Sequence, residues 1–502
     1  MPDPLPAETD VVVVGAGTSG CALAARLAEA GRTVLLLEAG PGESVPESAD
    51  ATTMRAAVPG SPAAVEVPAE LTATVSRSVV RGRGVGGSSA VNGSYFIRAT
   101  PADCDGWGVP EWSWDAVLPA FRRLETDLDY GDLPLHGNAG PVPVQRPRGG
   151  HPLADAFAAA AAELGFPDEP DKNADGPPGY GPVPLNVSGG VRVNAAMAYL
   201  SPRRGLRGLT VRGGVHVRRV MIERGRAVGV ETPDGIVRAA EVVLSAGAVG
   251  SPHLLLLSGV GPAGQLRSAG IPVAADLPGV GSDFTDHPNV YVGYRPARPL
   301  PLPPGGLPLH GVLHATSAGS SVPGDLEILP WLTPFSAITG GPGGDELAVG
   351  VGLQRGRSRG RLILAGGDPL TQPRLEYGYL ADDDDRRRLR EGVRLTVELL
   401  RSRAFGALVA GRSGPPDDVL DRDAELDAWI RFHLGTAVHL AGTARMGPHS
   451  DPGAVVDQRL RVRGVEGLRV VDTSVMPQVT TRGPAATAVM IGERAAELMT
   501  AS

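Results

Sequence analysis

Residues 11–20 constrain the fold more than any other stretch, because an apolar strand runs directly into a glycine-rich turn. Four consecutive valines, Val11–Val14, are typical of a parallel strand that is covered on both faces. Gly15, Gly17 and Gly20 follow in G-x-G-x-x-G spacing, which suits a tight turn, close approach of a pyrophosphate and packing of the next helix on the strand. The N-terminus of that helix would offer unpaired N–H groups to phosphate. A second apolar strand ends at Glu38, which is placed to accept hydrogen bonds from a ribose. This order of elements predicts binding of an ADP-containing dinucleotide.

Length, charge and cysteine content exclude several classes of protein. At 502 residues the chain exceeds one ordinary domain, so we expect two. A net charge of −8 argues against nucleic acid as a partner. Cys21 and Cys104 indicate neither a disulfide framework nor a metal site. With no signal-like N-terminal segment and no apolar run long enough to span a bilayer, we expect a cytoplasmic protein, and peripheral contact with the inner face of the membrane stays open.

Local patterns predict further elements along the chain. Apolar periodicity and charge distribution indicate helices over residues 115–125, 153–164 and 382–400. Alternating apolar residues indicate strands within 210–231, and a buried strand follows at 241–244, leading into a leucine-rich helix. The glycine-rich run at 81–93 predicts a loop whose backbone approaches another group closely.

Six further motifs are spread between residues 86 and 477. They are GGSSAVNG at 86–93, WG, WSWD and LPAF within 107–121, AGAVGSP and GVGP within 246–262, PGVG and DHP within 278–288, HLAGTARMG at 439–447, and LRVVDTSVMP at 468–477. Together they resemble the signatures of the glucose–methanol–choline (GMC) family of FAD-dependent oxidoreductases, and the likeness extends from Asp10 to about Leu498.

This resemblance implies an α/β fold in two interleaved parts. A Rossmann-like FAD-binding domain would comprise residues 1–150, 191–288 and 431–502. A substrate domain built on an antiparallel sheet would comprise residues 151–190 and 289–430. The family likeness also implies oxidation of an alcohol, with a hydride passing to the flavin while a base takes the hydroxyl proton.

The resemblance assigns the cofactor-binding positions along the chain. Glu38 and Ala39 would lie at the adenosine ribose, Val217 at the adenine, and Asp472 and Thr473 at the ribityl–phosphate stretch. For Asp472 the competing interpretation is a turn or capping residue. The helix that starts near Pro484 would direct its positive end at the pyrimidine side of the flavin. The full predicted set is Gly15, Gly17, Thr18, Ser19, Gly20, Glu38, Ala39, Gly86, Ser88, Ser89, Asn92, Gly93, Val217, Ala246, Gly247, Asp472, Thr473, Pro484 and Ala485.

His439 is the predicted catalytic base, because it occupies the histidine of the active-site motif and a neutral imidazole accepts a proton near physiological pH. Three other histidines have structural interpretations. We expect His136 in a loop, His253 at the start of a helix, and His287 in a supporting rather than a catalytic position.

Two positions depart from the family pattern. Most members carry Asn or His as a second active-site residue, but ungapped register from Met476 places Gly483 there, preceded by Arg482. Arg482 would either supply charge at the site or be a structural arginine, and the sequence favours neither. Val91 occupies the position from which some members attach FAD through a histidine, so non-covalent FAD is predicted.

The predicted function is FAD-dependent alcohol oxidation of the choline dehydrogenase-like kind, with electrons passed to an acceptor other than oxygen. Compact size and the Arg482-Gly483-Pro484 sequence resemble actinobacterial members associated with mycofactocin, a peptide-derived redox cofactor. An alternative is therefore an electron relay that oxidises a reduced carrier of this type and passes electrons to a respiratory acceptor. A second alternative is a GMC-like lyase that keeps FAD without net redox. A nicotinamide-dependent dehydrogenase is less favoured, because the flavin-type motifs would have no role in it.

Overall fold

The computed structural model describes residues 5–43 and 45–501. Its first sheet has seven strands, with Glu8–Val14 at the centre. The strands run in the order Leu209–Arg212, Val34–Leu37, Glu8–Val14, Gly235–Leu244, Arg226–Thr232 and Arg219–Glu223, and Leu468–Val470 also pairs with Gly235–Leu244. Arg226–Thr232 pairs antiparallel with both of its neighbours, Gly235–Leu244 and Arg219–Glu223, and all other pairings in the sheet are parallel.

The predicted β-α-β unit is confirmed. Val11, Val12 and Val13 are fully buried, as expected for a strand covered on both faces. Helix Thr18–Glu29 begins directly after Gly17. A Cβ at Gly20 would overlap the carbonyl oxygen of Gly15, so only glycine allows the helix to pack this closely on the strand.

A second sheet of seven antiparallel strands forms the other half of the molecule. Its order is Val409–Arg412, Pro288–Pro296, Leu347–Leu353, Leu326–Pro330, Gly311–Ala315 and Tyr180–Pro182, with Gly435–Thr436 pairing to the start of Pro288–Pro296. The mixed α/β fold with an antiparallel second sheet is thus as predicted.

A third, four-stranded sheet crosses the predicted domain boundaries. It contains Arg361–Ile363, Arg374–Glu376, Ala64–Thr72 and Val75–Gly82. Residues 64–82 were assigned to the first part of the FAD-binding domain, whereas 361–376 were assigned to the substrate domain. These two segments pair through Leu375 and Ala69, a contact that no local pattern encodes. Shorter pairs join Glu125–Asp127 with Val142–Val144, Val187–Ser188 with Val191–Arg192, and Val260–Gly261 with Ala275–Asp276.

The helices agree closely with the sequence patterns. Trp114–Leu124, Pro152–Glu163 and Asp383–Arg401 match the three predicted segments to within a residue or two. The remaining α-helices are Pro101–Asp105, Gly247–Leu257, Ala263–Ser268, Phe335–Thr339, Arg403–Gly406, Asp417–Leu420, Asp423–His433 and Ala485–Thr500. Within residues 5–43 and 45–501, no helix combines the length and apolar character needed to cross a bilayer.

One buried ionic cluster fixes the C-terminal helix against the first helix. Glu493, which is 1% exposed, accepts hydrogen bonds from Arg26, Arg123 and the Tyr199 hydroxyl at 3.0, 2.8 and 2.6 Å. Nearer the N-terminal ends, the Ser19 hydroxyl donates to the Ala488 carbonyl at 2.6 Å. A buried charge is stable only with such partners, so these contacts hold the N-termini of both helices in a fixed relation.

Candidate active site

A continuous cavity of about 710 Å³ is lined by residues of both main sheets. It is lined by every predicted cofactor-binding residue except Gly20 and Gly86. Residues from both ends of the predicted site are included: Glu38 and Val217 at one end, and Asn92, His439 and Gly483 at the other. The volume lies within the usual range for ligand and cofactor sites.

The lining fits a dinucleotide. Gly17 is the N-cap of helix Thr18–Glu29, and Pro484 is the N-cap of helix Ala485–Thr500. Neither cap provides a side-chain hydrogen bond. The backbone N–H groups in the first turn of each helix therefore stay available for anionic groups, which helix N-termini favour. A Cβ added at Gly17 would meet only the Ser245 carbonyl, 3.8 Å away, so the cavity remains open beside this backbone.

Glu38 has more contacts than the sequence predicted. Its carboxylate accepts hydrogen bonds from the backbone N–H groups of Ala16, Gly40 and Gly84, at 3.0, 2.8 and 3.0 Å. The side chain thus joins the first glycine turn to the loop at residue 84, and it also lines the cavity. A ribose would share this carboxylate with three protein donors.

Asp472 has the contacts of a capping residue and also borders the cavity. It caps a short 3₁₀ turn by accepting from the Ser474 N–H at 2.9 Å, and it accepts from the Ser251 hydroxyl and the Gly247 N–H at 2.5 and 2.9 Å. Asp472 also lines the cavity. These contacts confirm the capping interpretation, and the contact with the cofactor stays a prediction.

The secondary structure around Val217 and His253 differs from the sequence prediction, although both residues line the cavity. Val217 follows the strand Leu209–Arg212 and precedes Arg219–Glu223, so it lies in a connection and not in a strand. His253 lies inside helix Gly247–Leu257, not at its start, and it lines the cavity with its Nε2 atom unpartnered among the described residues. Burial, together with nearby His216, lowers the pKa of His253 to about 4, so this imidazole is neutral.

Asp286 holds the backbone around His439. Its carboxylate accepts from the N–H of His287 at 2.6 Å, the N–H of His439 at 2.7 Å and the Thr436 hydroxyl at 3.1 Å. Arg81 also donates to the carbonyl of Val438, whose φ of +59° is unusual for a β-branched residue. These contacts fix the residue before the predicted base in a conformation that valine adopts only under constraint.

The side chains of His287 and His439 are hydrogen-bonded to each other. Their Nδ1 atoms lie 2.9 Å apart, and the rings are nearly perpendicular, at 86°. His287 Nε2 lies 2.9 Å from the Thr480 carbonyl, which only accepts, so His287 carries its proton on Nε2 and its Nδ1 is an acceptor. His439 must then donate from Nδ1, which leaves its Nε2 lone pair free.

Both histidines are neutral in this environment. Burial lowers the pKa of His287 to about 4. Burial, and then the neighbouring His287 and Arg81, hold the pKa of His439 well below 6.5. His439 lines the cavity, and its free Nε2 is therefore an unprotonated acceptor there at physiological pH.

Gly483 and Arg482 are placed very differently. A Cβ at Gly483 would lie 3.4 Å from His439 Cε1 and 3.6 Å from Nε2, so Gly483 lies beside the predicted base. Arg482 is 4% exposed and does not line the cavity. Its guanidinium donates to the Thr481 carbonyl at 3.0 Å and lies 4.0 Å from Glu169. These contacts favour the structural interpretation of Arg482.

His136 belongs to a buried ionic cluster and not to the cavity. It contacts Glu125, Asp127 and Asp171 at 3.2, 3.0 and 2.8 Å. Arg98 and Arg146 also bind these carboxylates. Although burial opposes the charged imidazole, hydrogen bonds to the three carboxylates raise the pKa of His136 to about 10. The cluster therefore stabilises the loop as a network of ion pairs.

Sequence reasoning missed the cavity residues that the second sheet contributes. They include Asn289 and Glu327 within its strands, and Trp331 and Gln354 directly after its strands. Tyr95, which lies outside this sheet, also lines the cavity. The sequence did contain a signal for one of them, because Glu327 is a single acid between Leu326 and Ile328 in an otherwise apolar strand.

A βαβ dinucleotide turn, a long cavity and a buried neutral histidine on that cavity together point to a flavin-type oxidoreductase fold. Comparison with known proteins identifies the family. Two family models described as GMC oxidoreductase match residues 9–289 and 356–492. The chain belongs to the GMC oxidoreductases, a family of FAD-binding enzymes.

Individual relatives cover nearly the whole chain. An uncharacterized GMC-type oxidoreductase in the thcA 5' region of Rhodococcus erythropolis is 43% identical over 98% of this chain and 98% of its own length. An oxygen-dependent choline dehydrogenase of Photobacterium profundum is 34% identical, covering 97% and 92%. The crystal structure of pyridoxine 4-oxidase from Mesorbium loti superposes with a TM-score of 0.89 at 31% identity, covering 97% and 98%.

Proposed function

We propose that this protein is an FAD-dependent alcohol dehydrogenase in which His439 is the base. The observation that carries the proposal is the neutral His439, whose unprotonated Nε2 atom is left free on the cavity side by the bond to His287. Names of the relatives support an alcohol as substrate, since choline and pyridoxine both carry hydroxyl groups.

In the proposed reaction, His439 Nε2 takes the hydroxyl proton of the alcohol. The imidazole then carries a positive charge, and its Nδ1–H donates to the neutral Nδ1 of His287. His287 cannot rotate away, because its own Nε2–H is held by Thr480. Bound FAD would accept the hydride from the alcohol carbon. Positioned base catalysis of this kind is worth about 10²–10⁴ in rate.

The cofactor would be held without a covalent bond. Val91 lines the cavity. By the family resemblance it occupies the position from which some members attach FAD through a histidine, and the valine side chain has no reactive atom. Helix Ala485–Thr500 begins beside Gly483, so its positive end would stabilise negative charge that develops on the reduced cofactor. The N-terminus of Thr18–Glu29 would face the pyrophosphate.

The physiological acceptor in this proposal is not oxygen. This assignment of the acceptor is based on the Arg482-Gly483-Pro484 sequence, which resembles actinobacterial GMC members that serve a reduced carrier. The Rhodococcus relative also comes from an actinobacterium. The carrier-oxidising relay stays the second candidate for the same site. A protein of this kind would be reduced by the carrier alone and not by free alcohols.

An anaerobic substrate screen on the purified holoenzyme tests the proposal. Alcohol oxidation predicts that at least one alcohol bleaches the visible flavin band, and that artificial dyes restore it faster than oxygen. Bleaching by no alcohol would contradict the proposal. Cleavage of a cyanohydrin with the flavin band unchanged would instead favour the lyase. Release of hydrogen peroxide at the rate seen with dyes would contradict the assignment of the acceptor.

A further inference from the structure

A chain of four hydrogen-bonded side chains leads from the cavity into the protein interior. Glu327 lines the cavity, and its side chain is 14% exposed. In the strand register it lies directly opposite His314, whose Nε2 atom is 3.3 Å from Glu327 Oε2. Lys172 Nζ lies 3.2 Å from the other ring nitrogen of His314 and 2.5 Å from Glu169. The side chains of His314 and Lys172 are fully buried and do not line the cavity, so the chain joins Glu327 to groups behind the cavity wall.

The position of each proton along this chain follows from the donors and acceptors. An ammonium group only donates, and Lys172 donates to Glu169 and to His314 Nδ1. His314 Nδ1 is therefore an acceptor. Burial, together with two nearby cations, holds the pKa of His314 well below 6.5, so its ring is neutral and carries one proton, on Nε2. That Nε2–H donates to Glu327, which makes every step of the chain point from the lysine towards the cavity.

The charged groups of this cluster balance one another. Arg482 is 4% exposed and lies 4.0 Å from Glu169. Two cations, Lys172 and Arg482, thus accompany two carboxylates, Glu169 and Glu327. If one proton moves from Lys172 to Glu327, Arg482 and Glu169 still balance each other. A proton can therefore move along the chain without leaving a surplus of buried charge, which would be costly.

Burial brings the proton affinities of the two ends of the chain closer together. It raises the pKa of Glu327 to about 6, although Arg482 and the Tyr95 hydroxyl oppose this shift. It lowers the pKa of Lys172 to about 8, although Glu169 opposes this shift. At neutral pH the proton is therefore on the lysine, and Glu327 is a carboxylate. Negative charge that arises nearby raises the pKa of a carboxyl group, so such charge in the cavity favours a proton on Glu327.

We propose that Lys172, His314 and Glu327 form a proton-transfer chain that neutralises the Glu327 carboxylate when negative charge develops in the cavity. In this step the Lys172 ammonium group gives a proton to His314 Nδ1, while the proton on Nε2 of the same ring passes to Glu327 Oε2. The products are a neutral amine, the other neutral tautomer of the imidazole and a carboxylic acid, and no electron moves along the chain. Imidazole suits this role because one of its nitrogens accepts while the other donates.

The inference goes beyond the proposed function. It requires a bound flavin that gains negative charge on reduction, but it does not require that an alcohol is the reductant. The transfer can therefore be measured whether or not an alcohol substrate is known.

Infrared spectroscopy of the holoenzyme tests the transfer. A laser pulse in the presence of a deazaflavin supplies electrons to the bound flavin without an alcohol. We expect a carboxylic-acid band to appear together with the bleaching of the flavin, and we expect Glu327→Gln to lack this band. Glu346→Gln, at an exposed glutamate, is the matched control and should keep the band.

Two further variants separate proton transfer from a purely structural role of the cluster. In His314→Gln, the amide oxygen can accept from Lys172 and the amide NH₂ can donate to Glu327, but neither atom titrates near neutral pH. The band should then follow the bleaching with a delay of about tenfold or more, because positioned proton transfer contributes about 10²–10⁴ in rate. Lys172→Met removes the proton donor and should cause a similar delay. His310→Gln, at a half-buried histidine outside the chain, should cause none.

The outcomes separate this inference from the proposed function. Reduction of the wild-type flavin without a carboxylic-acid band, or with the same band in Glu327→Gln, would overturn the transfer. A band that keeps pace with bleaching in folded His314→Gln or folded Lys172→Met would overturn it as well, and flavin content and melting temperature report folding. None of these results bears on alcohol oxidation, which fails only if no alcohol bleaches the flavin.

Discussion

The bond between His287 and His439 predicts the effect of removing its acceptor. His287→Leu takes away the Nδ1 atom that lies 2.9 Å from His439. That hydrogen bond becomes charge-assisted once His439 holds the substrate proton, and such bonds contribute about 1.5–3 kcal/mol. Because about 1.4 kcal/mol corresponds to tenfold in rate, flavin reduction should slow by about tenfold to a hundredfold.

A matched variant separates this effect from disruption of the core. His287→Asn keeps an amide oxygen near the former Nδ1 position, so it should recover part of the lost rate, whereas both variants lose the bond to Thr480. The assay is anaerobic stopped-flow reduction of the flavin, with flavin content and melting temperature measured alongside. Reduction of folded His287→Leu at the wild-type rate, or no advantage of Asn over Leu, would refute the reasoning.

Three further predictions concern the cofactor and stability. Because Val91 cannot form a histidyl link, denaturation should release all flavin to the supernatant, and colour retained on the precipitated chain would disprove non-covalent binding. Glu38→Ala should weaken FAD binding and also lower the melting temperature of the apoprotein, since three backbone donors lose their acceptor. Glu38→Gln should bind FAD better than Glu38→Ala. Unchanged FAD affinity in Glu38→Ala would argue against a role of Glu38 in binding the cofactor. The pKa of His136 is about 10 in the folded protein against 6.5 unfolded, so its contribution to stability is complete below pH 6.5 and is lost as pH rises towards 10. Wild-type stability measured by denaturant unfolding should therefore fall over that range more steeply than that of His136→Gln, and parallel curves would contradict this.

Local signals predicted the parts of the fold whose geometry is local. Gly15, Gly17 and Gly20 define a turn within six residues, and the structure places them as expected. Ungapped register from Met476 was enough to assign Gly483 to the second active-site position, and the structure places it beside His439. The first and last helices were predicted for the same reason, since their apolar periodicity and glycine or proline boundaries lie within the segments themselves.

Contacts between distant segments were not predictable in this way. The direction of the Arg482 side chain depends on Glu169, more than three hundred residues earlier in the chain. The backbone donors that surround Glu38 come from three separate loops. Strand register was needed to show that Glu327 lies on the face of the second sheet that borders the cavity. A single sequence carries no information on these pairings, because each depends on how the two sheets meet.

The most direct test of the account is flavin reduction in His439→Ala. Positioned base catalysis predicts a loss of about 10²–10⁴ in the reduction rate with FAD still bound. Burial and its neighbours hold the pKa of His439 well below 6.5. Protonation of this base should therefore cause no change in the wild-type reduction rate between pH 6.5 and 8. His433→Ala, at an exposed histidine on helix Asp423–His433, serves as the control and should reduce at the wild-type rate. Reduction of His439→Ala at the wild-type rate across this pH range would contradict the assignment of His439 as the base.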